Sequence, residues 1–182
     1  NALFPSNVID LCKGSYKTPV AGIQSLAKGR TYKVGGGLDR AKSLFAGKHG
    51  DHTVWTVIMK VASPEHGEAE FYILNQQKIV PNTSRGIKKA ILKDHERYGL
   101  DNCVLENYEV TDIAPFLTDQ KIPHELCSAH DTNQNASFPE FYRIASEGRF
   151  HFSSDLKDLE SEMRSFSYTQ RAGGKYSFGH SS

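Results

Sequence analysis

Between Tyr32 and Leu74 three strand-like segments follow one another with no helical pattern between them. Tyr32–Asp39 begins with strand-like residues, and its run Gly35-Gly36-Gly37 permits a close backbone approach or a bulge. Thr53–Val61 is rich in β-branched residues and is the strongest strand signal in the chain. Glu70–Leu74, after a turn over Pro64–Gly67, reads as the third strand. A parallel pair needs a long crossover, usually a helix, so strands joined without one form an antiparallel meander.

The pattern then changes period. Asn82, Thr83 and Ser84 are good N-caps, and Ile87, Ala90, Ile91 and Tyr98 recur at helical spacing up to Gly99. Cys103–Glu106 reads as a fourth strand, Val110–Leu117 as a short helix broken near Pro115, and Ile122–Cys127 as a fifth strand. A helix is predicted over Ser137–Glu147, stopping at Gly148. Another runs from Ser154 as N-cap through Leu156, Leu159, Met163 and Phe166. The order βββαβαβα predicts an α/β fold, a mixed sheet of an antiparallel three-strand meander plus parallel strands, with flanking helices. Residues 1–30 have weak periodicity and read as a lead-in or linker segment, leaving 31–182 as the domain proper.

Length and composition agree with this. The 182 residues make one domain of ordinary size, and 38% hydrophobic content is too high for a disordered chain. No run approaches the roughly 18 apolar residues of a membrane span, so no membrane partner is expected. The chain begins Asn1-Ala2-Leu3 without an initiator Met or a signal core, which reads as a piece of a longer protein. Cys12, Cys103 and Cys127 are odd in number and widely spaced, which favours free thiols in a reducing compartment. The sequons at Asn82 and Asn135 then carry no meaning.

The net charge of +1 hides an asymmetry. From Leu11 to Gly50 there are eight Lys/Arg against the single acid Asp39, while residues 51–182 carry 14 bases and 19 acids. A basic stretch beside an acidic body suits an anionic partner, nucleic acid foremost, although a solvated lysine-rich surface has the same composition.

Two carboxylates stand at strand ends: Asp39 closes the first strand and Glu106 the fourth. If those strands are parallel neighbours, both acids emerge at the ligand-binding edge of an open α/β sheet. Close carboxylates repel, and a divalent cation relieves the repulsion. Oxygen ligands suit Mg²⁺ or Mn²⁺, and such a site suits two-metal phosphodiester hydrolysis. Asp39 as a turn cap and Glu106 as a surface acid is the alternative that spacing alone leaves open. Other motifs are weaker. Gly47-Lys48 lacks the rest of a phosphate loop, Cys127-Ser128-Ala129-His130 has no second ligand pair for zinc, and no Gly-x-Ser-x-Gly anchors a serine nucleophile.

Taken together, Leu3-Phe4-Pro5, Val8–Cys12, Gly37-Leu38-Asp39, Gly50–Val54, Val104–Tyr108, Ser128–Phe138, Phe141–Ile144 and Glu147–Phe150 resemble the large terminase subunit of tailed bacteriophages. The resemblance spans nearly the whole chain. It implies the C-terminal, RNase H-like nuclease domain of a DNA-packaging motor, which cuts concatemeric double-stranded DNA with two metal ions, Mg²⁺ or Mn²⁺. It further implies a preceding ATPase domain, partnership with a small terminase subunit and a portal, and a place in the cytoplasm of an infected bacterial host. By this likeness Asp39 and Glu106 are the catalytic metal acids, and Asp51 matches a further metal acid before the second strand. The family's remaining acid is then expected beyond Ser182. Arg40, Lys42 and Lys48 are expected to contact DNA phosphates. A catalytically silent DNA-binding or docking module, or an RNase H-like resolvase or recombinase nuclease, would share these features.

Overall fold

The computed structural model of the chain describes residues 1–42, 52–63, 67–107, 110–128 and 131–180. In chain order its elements are α1 (Ser6–Cys12), β1 (Lys13–Gly14), α2 (Gln24–Ala27), β2 (Tyr32–Asp39), β3 (Thr53–Val61), β4 (Glu70–Ile79) and α3 (Ser84–Tyr98). There follow β5 (Asn102–Glu106), α4 (Ile113–Asp119), β6 (His124–Cys127), α5 (Asp131–Ser146), β7 (Phe150–Ser153), α6 (Lys157–Ser165), β8 (Phe166–Gln170) and β9 (Tyr176–His180). They divide into two compact units, residues 19–128 and residues 1–18 with 129–182.

In the 19–128 unit the strands lie in the order β4-β3-β2-β5-β6. β4, β3 and β2 are the predicted antiparallel meander, and β5 and β6 add to it in parallel, as helical crossovers require. The RNase H-like mixed sheet expected from the sequence is present. β2 therefore sits where antiparallel pairing gives way to parallel pairing.

One face of this sheet is strongly apolar. Alternation along β3 buries Thr53, Trp55, Val57, Met59 and Val61, while Ile87, Ala90, Ile91, Asp94 and Tyr98 line the buried stripe of α3. Thr83 caps α3 by accepting from the Gly86 amide (3.1 Å), and the helix ends at Gly99, whose amide donates to the His95 carbonyl (2.8 Å). Trp55 is fully buried and donates its indole N–H to Asp94 Oδ2 (2.9 Å), which also accepts from Asn75 (2.9 Å). Its six-membered ring lies over Gly36, where an added Cβ would come within 2.1 Å of the indole. The glycine run permits that approach, and only Gly36 of the three is so crowded.

The second unit differs from the sequence reading. Of residues 1–30, expected as a lead-in, 1–18 carry α1 and β1 and bury Leu3, Phe4, Val8, Ile9 and Cys12, while α2 and the buried Val20 and Ala27 belong to the 19–128 unit. β1 pairs in parallel with β7, a strand absent from the prediction. Both are too short, at two and four residues, to show a period. The last predicted helix is shorter than expected. α6 starts at Lys157, not after Ser154, and Phe166 opens the antiparallel hairpin β8–β9. Ser153 and Asp155, in the segment before α6, are drawn instead into hydrogen bonds with Tyr16 and Thr18. Cys12 and Cys103 are buried, Cys127 is exposed, and all three are free.

Candidate active site

Pairing of β2 with β5 runs Gly35↔Asn102, Gly36↔Cys103, Gly37↔Val104 and Leu38↔Leu105. The next position along both strands places Asp39 beside Glu106 at their carboxyl ends. Cross-strand partners project from the same face. Leu38 and Leu105 point into the core, so Asp39 and Glu106 point to the opposite face. Asp39 is exposed and Glu106 half-buried. The parallel adjacency on which the sequence argument depended is therefore present, at the point where the sheet changes from antiparallel to parallel pairing.

The chain just past Asp39 is held firmly. The Ala41 amide donates to Thr53 Oγ1 (3.0 Å), and its carbonyl accepts from Asn82 Nδ2 (2.6 Å). Arg40, predicted as a phosphate contact, donates to Asn82 Oδ1 (3.2 Å), Ser84 Oγ (3.3 Å) and Asp112 Oδ1 (3.3 Å). Its side chain is only 10% exposed. The guanidinium thus braces the end of β2 against the start of α3 and the segment before α4. Burial pushes the Asp112 carboxyl up, but hydrogen bonds from Ser84 and Arg40 outweigh it and hold the group below the usual carboxylate range. Lys88 reaches the same carboxylate at 3.9 Å. Lys42 is exposed, and Lys48 and Asp51 lie outside the described residues.

No protein-family profile matches this sequence, and no curated protein is detectably similar to it. Solved structures are similar over the whole chain. The large terminase nuclease of thermophilic phage G20c, solved with bound magnesium, has a TM-score of 0.64 at 17% identity, covering 100% of this chain and 89% of that one. The nuclease domain of the Thermus phage P74-26 large terminase gives 0.64 at 16% identity, covering 98% and 85%. The HK97 bacteriophage large terminase gives 0.64 at 9% identity, covering 98% of this chain and 39% of its own. The chain has the fold of the phage large-terminase nucleases.

Within that terminase-nuclease fold, Asp39 and Glu106 offer oxygen donors of the kind that hard divalent cations take. The G20c nuclease itself has been solved with magnesium, cobalt or zinc bound. Among the described residues no group of three or more His, Cys, Asp or Glu side chains could enclose a metal ion. A pair of carboxylates nonetheless fits a cation that keeps several waters, which is the habit of Mg²⁺.

Asn82, Ser84 and Asp112 are the site neighbours that sequence reasoning missed. Asn82 and Ser84 showed only as candidate helix caps, and Asp112 carried no signal of its own. Their common partner, Arg40, lies 42 to 72 positions away along the chain.

Proposed function

We propose that the chain is the metal-dependent endonuclease domain of a viral DNA-packaging terminase, cutting concatemeric double-stranded DNA by two-metal phosphodiester hydrolysis. The observation that carries this reading is the juxtaposition of Asp39 and Glu106 at the carboxyl ends of adjacent parallel strands, within a terminase-nuclease fold. A divalent cation, Mg²⁺ or Mn²⁺, would supply a more acidic bound water and stabilise charge on the leaving oxygen. Asp39 and Glu106 hold it, with Asp51 as a third metal acid. The hydrogen bonds at Arg40 and Ala41 keep the Asp39 backbone from drifting, so the carboxylates meet substrate already placed. Lys42 and Lys48 contact phosphates without reading sequence. Arg40 joins them by exchanging Asp112 for a phosphate. The protein's partners are then double-stranded DNA, an ATPase domain of the same large subunit, a small terminase subunit and a portal, in the cytoplasm of an infected bacterium.

The test is plasmid cleavage in Mn²⁺ with wild type and Asp39→Asn. Cleavage should vanish in the variant while duplex binding persists, and cutting by Asp39→Asn would sink the assignment. The lack of a three-ligand cluster among the described residues favours one competing reading, a catalytically silent DNA-binding or docking module. Wild type that binds duplex without nicking it would establish that reading instead. The phosphate assignment has its own check: log affinity should fall with log salt by about 0.9 per phosphate neutralised. Replacing Lys42 and Lys48 with Ala should flatten the slope.

A further inference from the structure

The unit formed by residues 1–18 and 129–182 contains an aromatic cavity of about 400 Å³, within the roughly 300–1,000 Å³ usual for ligand pockets. Pro5, Pro139, Tyr142, Tyr168, Tyr176 and Phe178 line it. Tyr142 and Tyr176 remain 37% and 36% exposed, so both lining side chains are partly open to solvent.

The cavity is built rather than incidental. Phe138 of α5 packs between Phe166 and Phe178 of the hairpin, with ring centroids 4.8 and 4.9 Å away. Asn135, one turn earlier, pairs with the Tyr176 backbone in both directions: the Tyr176 amide donates to Oδ1 (2.9 Å) and Nδ2 donates to the Tyr176 carbonyl (3.1 Å). Tyr168 and Tyr176 pack edge-to-face at 5.7 Å. The three tyrosine hydroxyls, on Tyr142, Tyr168 and Tyr176, have no hydrogen-bond partner among the described residues.

The hairpin side of the cavity is basic, while Glu140 on the α5 side is paired with Arg143 (2.7 Å). From Ser165 to Ser182 the sequence has no acid and two bases, Arg171 and Lys175. Those two flank the hairpin turn, which Gly173 and Gly174 make at φ 81° and 77° and the Arg171 amide closes on the Lys175 carbonyl (2.7 Å). Partly exposed aromatic rings on a hairpin whose turn carries two cations, Arg171 also donating to Ser177 Oγ (2.7 Å), are the elements of a single-strand nucleic-acid platform. Bases stack on the rings while the cations follow the backbone. A duplex keeps its bases paired and cannot offer them.

We infer that this aromatic cavity binds unpaired bases of single-stranded DNA, as a site separate from the Asp39–Glu106 pair. The inference rests on the reading that the protein handles DNA, and adds a preference for strands that are frayed or already cut.

The experiment measures anisotropy of a labelled oligo(dT) and of a blunt duplex against the full 182-residue chain and its variants. Tyr142→Ala and Tyr176→Ala should each weaken oligo(dT) binding about 5- to 150-fold, the range for one stacked base, and leave duplex binding unchanged. Tyr142→Phe should retain binding, and so should Asp39→Asn. Tyr142 lies on the exposed side of α5, so its truncation decides the matter even if Tyr176→Ala disturbs the hairpin. Oligo(dT) affinity unchanged in Tyr142→Ala would overturn the proposal. So would a proline-rich peptide that saturates the tyrosines and is not displaced by oligo(dT). A chain that never cuts duplex yet loses oligo(dT) on tyrosine truncation would refute the nuclease reading and uphold this one.

Discussion

Asp101 and Val34 hold each other by two hydrogen bonds. The Val34 amide donates to the Asp101 carboxylate (2.8 Å), and the Asp101 amide donates to the Val34 carbonyl (2.8 Å). Five residues further along each strand stand Asp39 and Glu106. The clamp at one end of the β2–β5 pair therefore supports the register that places the two residues at neighbouring positions at the other.

Asp101→Ala should destabilise the protein by about 1.5–3 kcal/mol, the usual worth of a hydrogen bond to a charged acceptor. Asp101→Asn keeps an oxygen acceptor and should recover at least half of that. Urea unfolding monitored at Trp55, the sole tryptophan, measures both.

Gly36→Ala and Gly37→Ala should behave oppositely although they are neighbours. A Cβ on Gly36 meets the Trp55 ring at 2.1 Å, and one on Gly37 meets nothing within 4 Å. Overpacking should cost Gly36→Ala about 1–3 kcal/mol and shift Trp55 emission to the red, while Gly37→Ala stays within about 0.5 kcal/mol of wild type. Equal losses in both would mean that the indole contact is not what requires glycine.

Asp155 links pH to the stability of its unit. Partial burial pushes its carboxyl up, but the Thr18 amide (2.9 Å) and hydroxyl (2.7 Å) donate to it and hold it below the ordinary range. The folded value lies below the unfolded one, so the charged form is favoured by folding. Its stabilisation is complete above an ordinary Asp value of about 3.9 and fades as pH falls through the lower folded value. The melting-temperature gap between wild type and Asp155→Asn should be flat above about pH 5 and close in stronger acid. A gap that widened on acidification would reverse the sign and refute the linkage.

Thiol chemistry should single out Cys127. Burial pushes the Cys103 thiol up to about 12 and the Cys12 thiol up to about 11, so neither forms thiolate near neutrality, whereas Cys127 is exposed. A thiol-reactive dye should label one cysteine in the folded protein and three in denaturant. Rapid labelling of Cys12 without denaturant would show that α1 opens locally.

What could be read from the chain alone was local. The β-branched run Thr53–Val61, the cap at Thr83 and the stop at Gly99 each act within one element, and each stands where the pattern put it. The meander followed from short connections, and the parallel placement of β5 followed from the helix before it. Those two inferences put Asp39 and Glu106 at the carboxyl ends of adjacent parallel strands, and that adjacency is the part of the candidate site legible in the sequence.

Only the tertiary structure decided the rest. β1 and β7 are too short to show a period and exist through their pairing across the chain. Arg40 reads as a free cation in a basic segment, yet Asn82, Ser84 and Asp112 converge on it from distant positions. Phe166 extends the helical spacing of α6 but starts a strand, because Phe138 and the facing residues of β9 compete for it. Local propensity differs by less than about 1 kcal/mol between such alternatives, and burying one aromatic ring outweighs it. Periodicity and capping are properties of neighbours in sequence, whereas burial and ion pairing belong to neighbours in space.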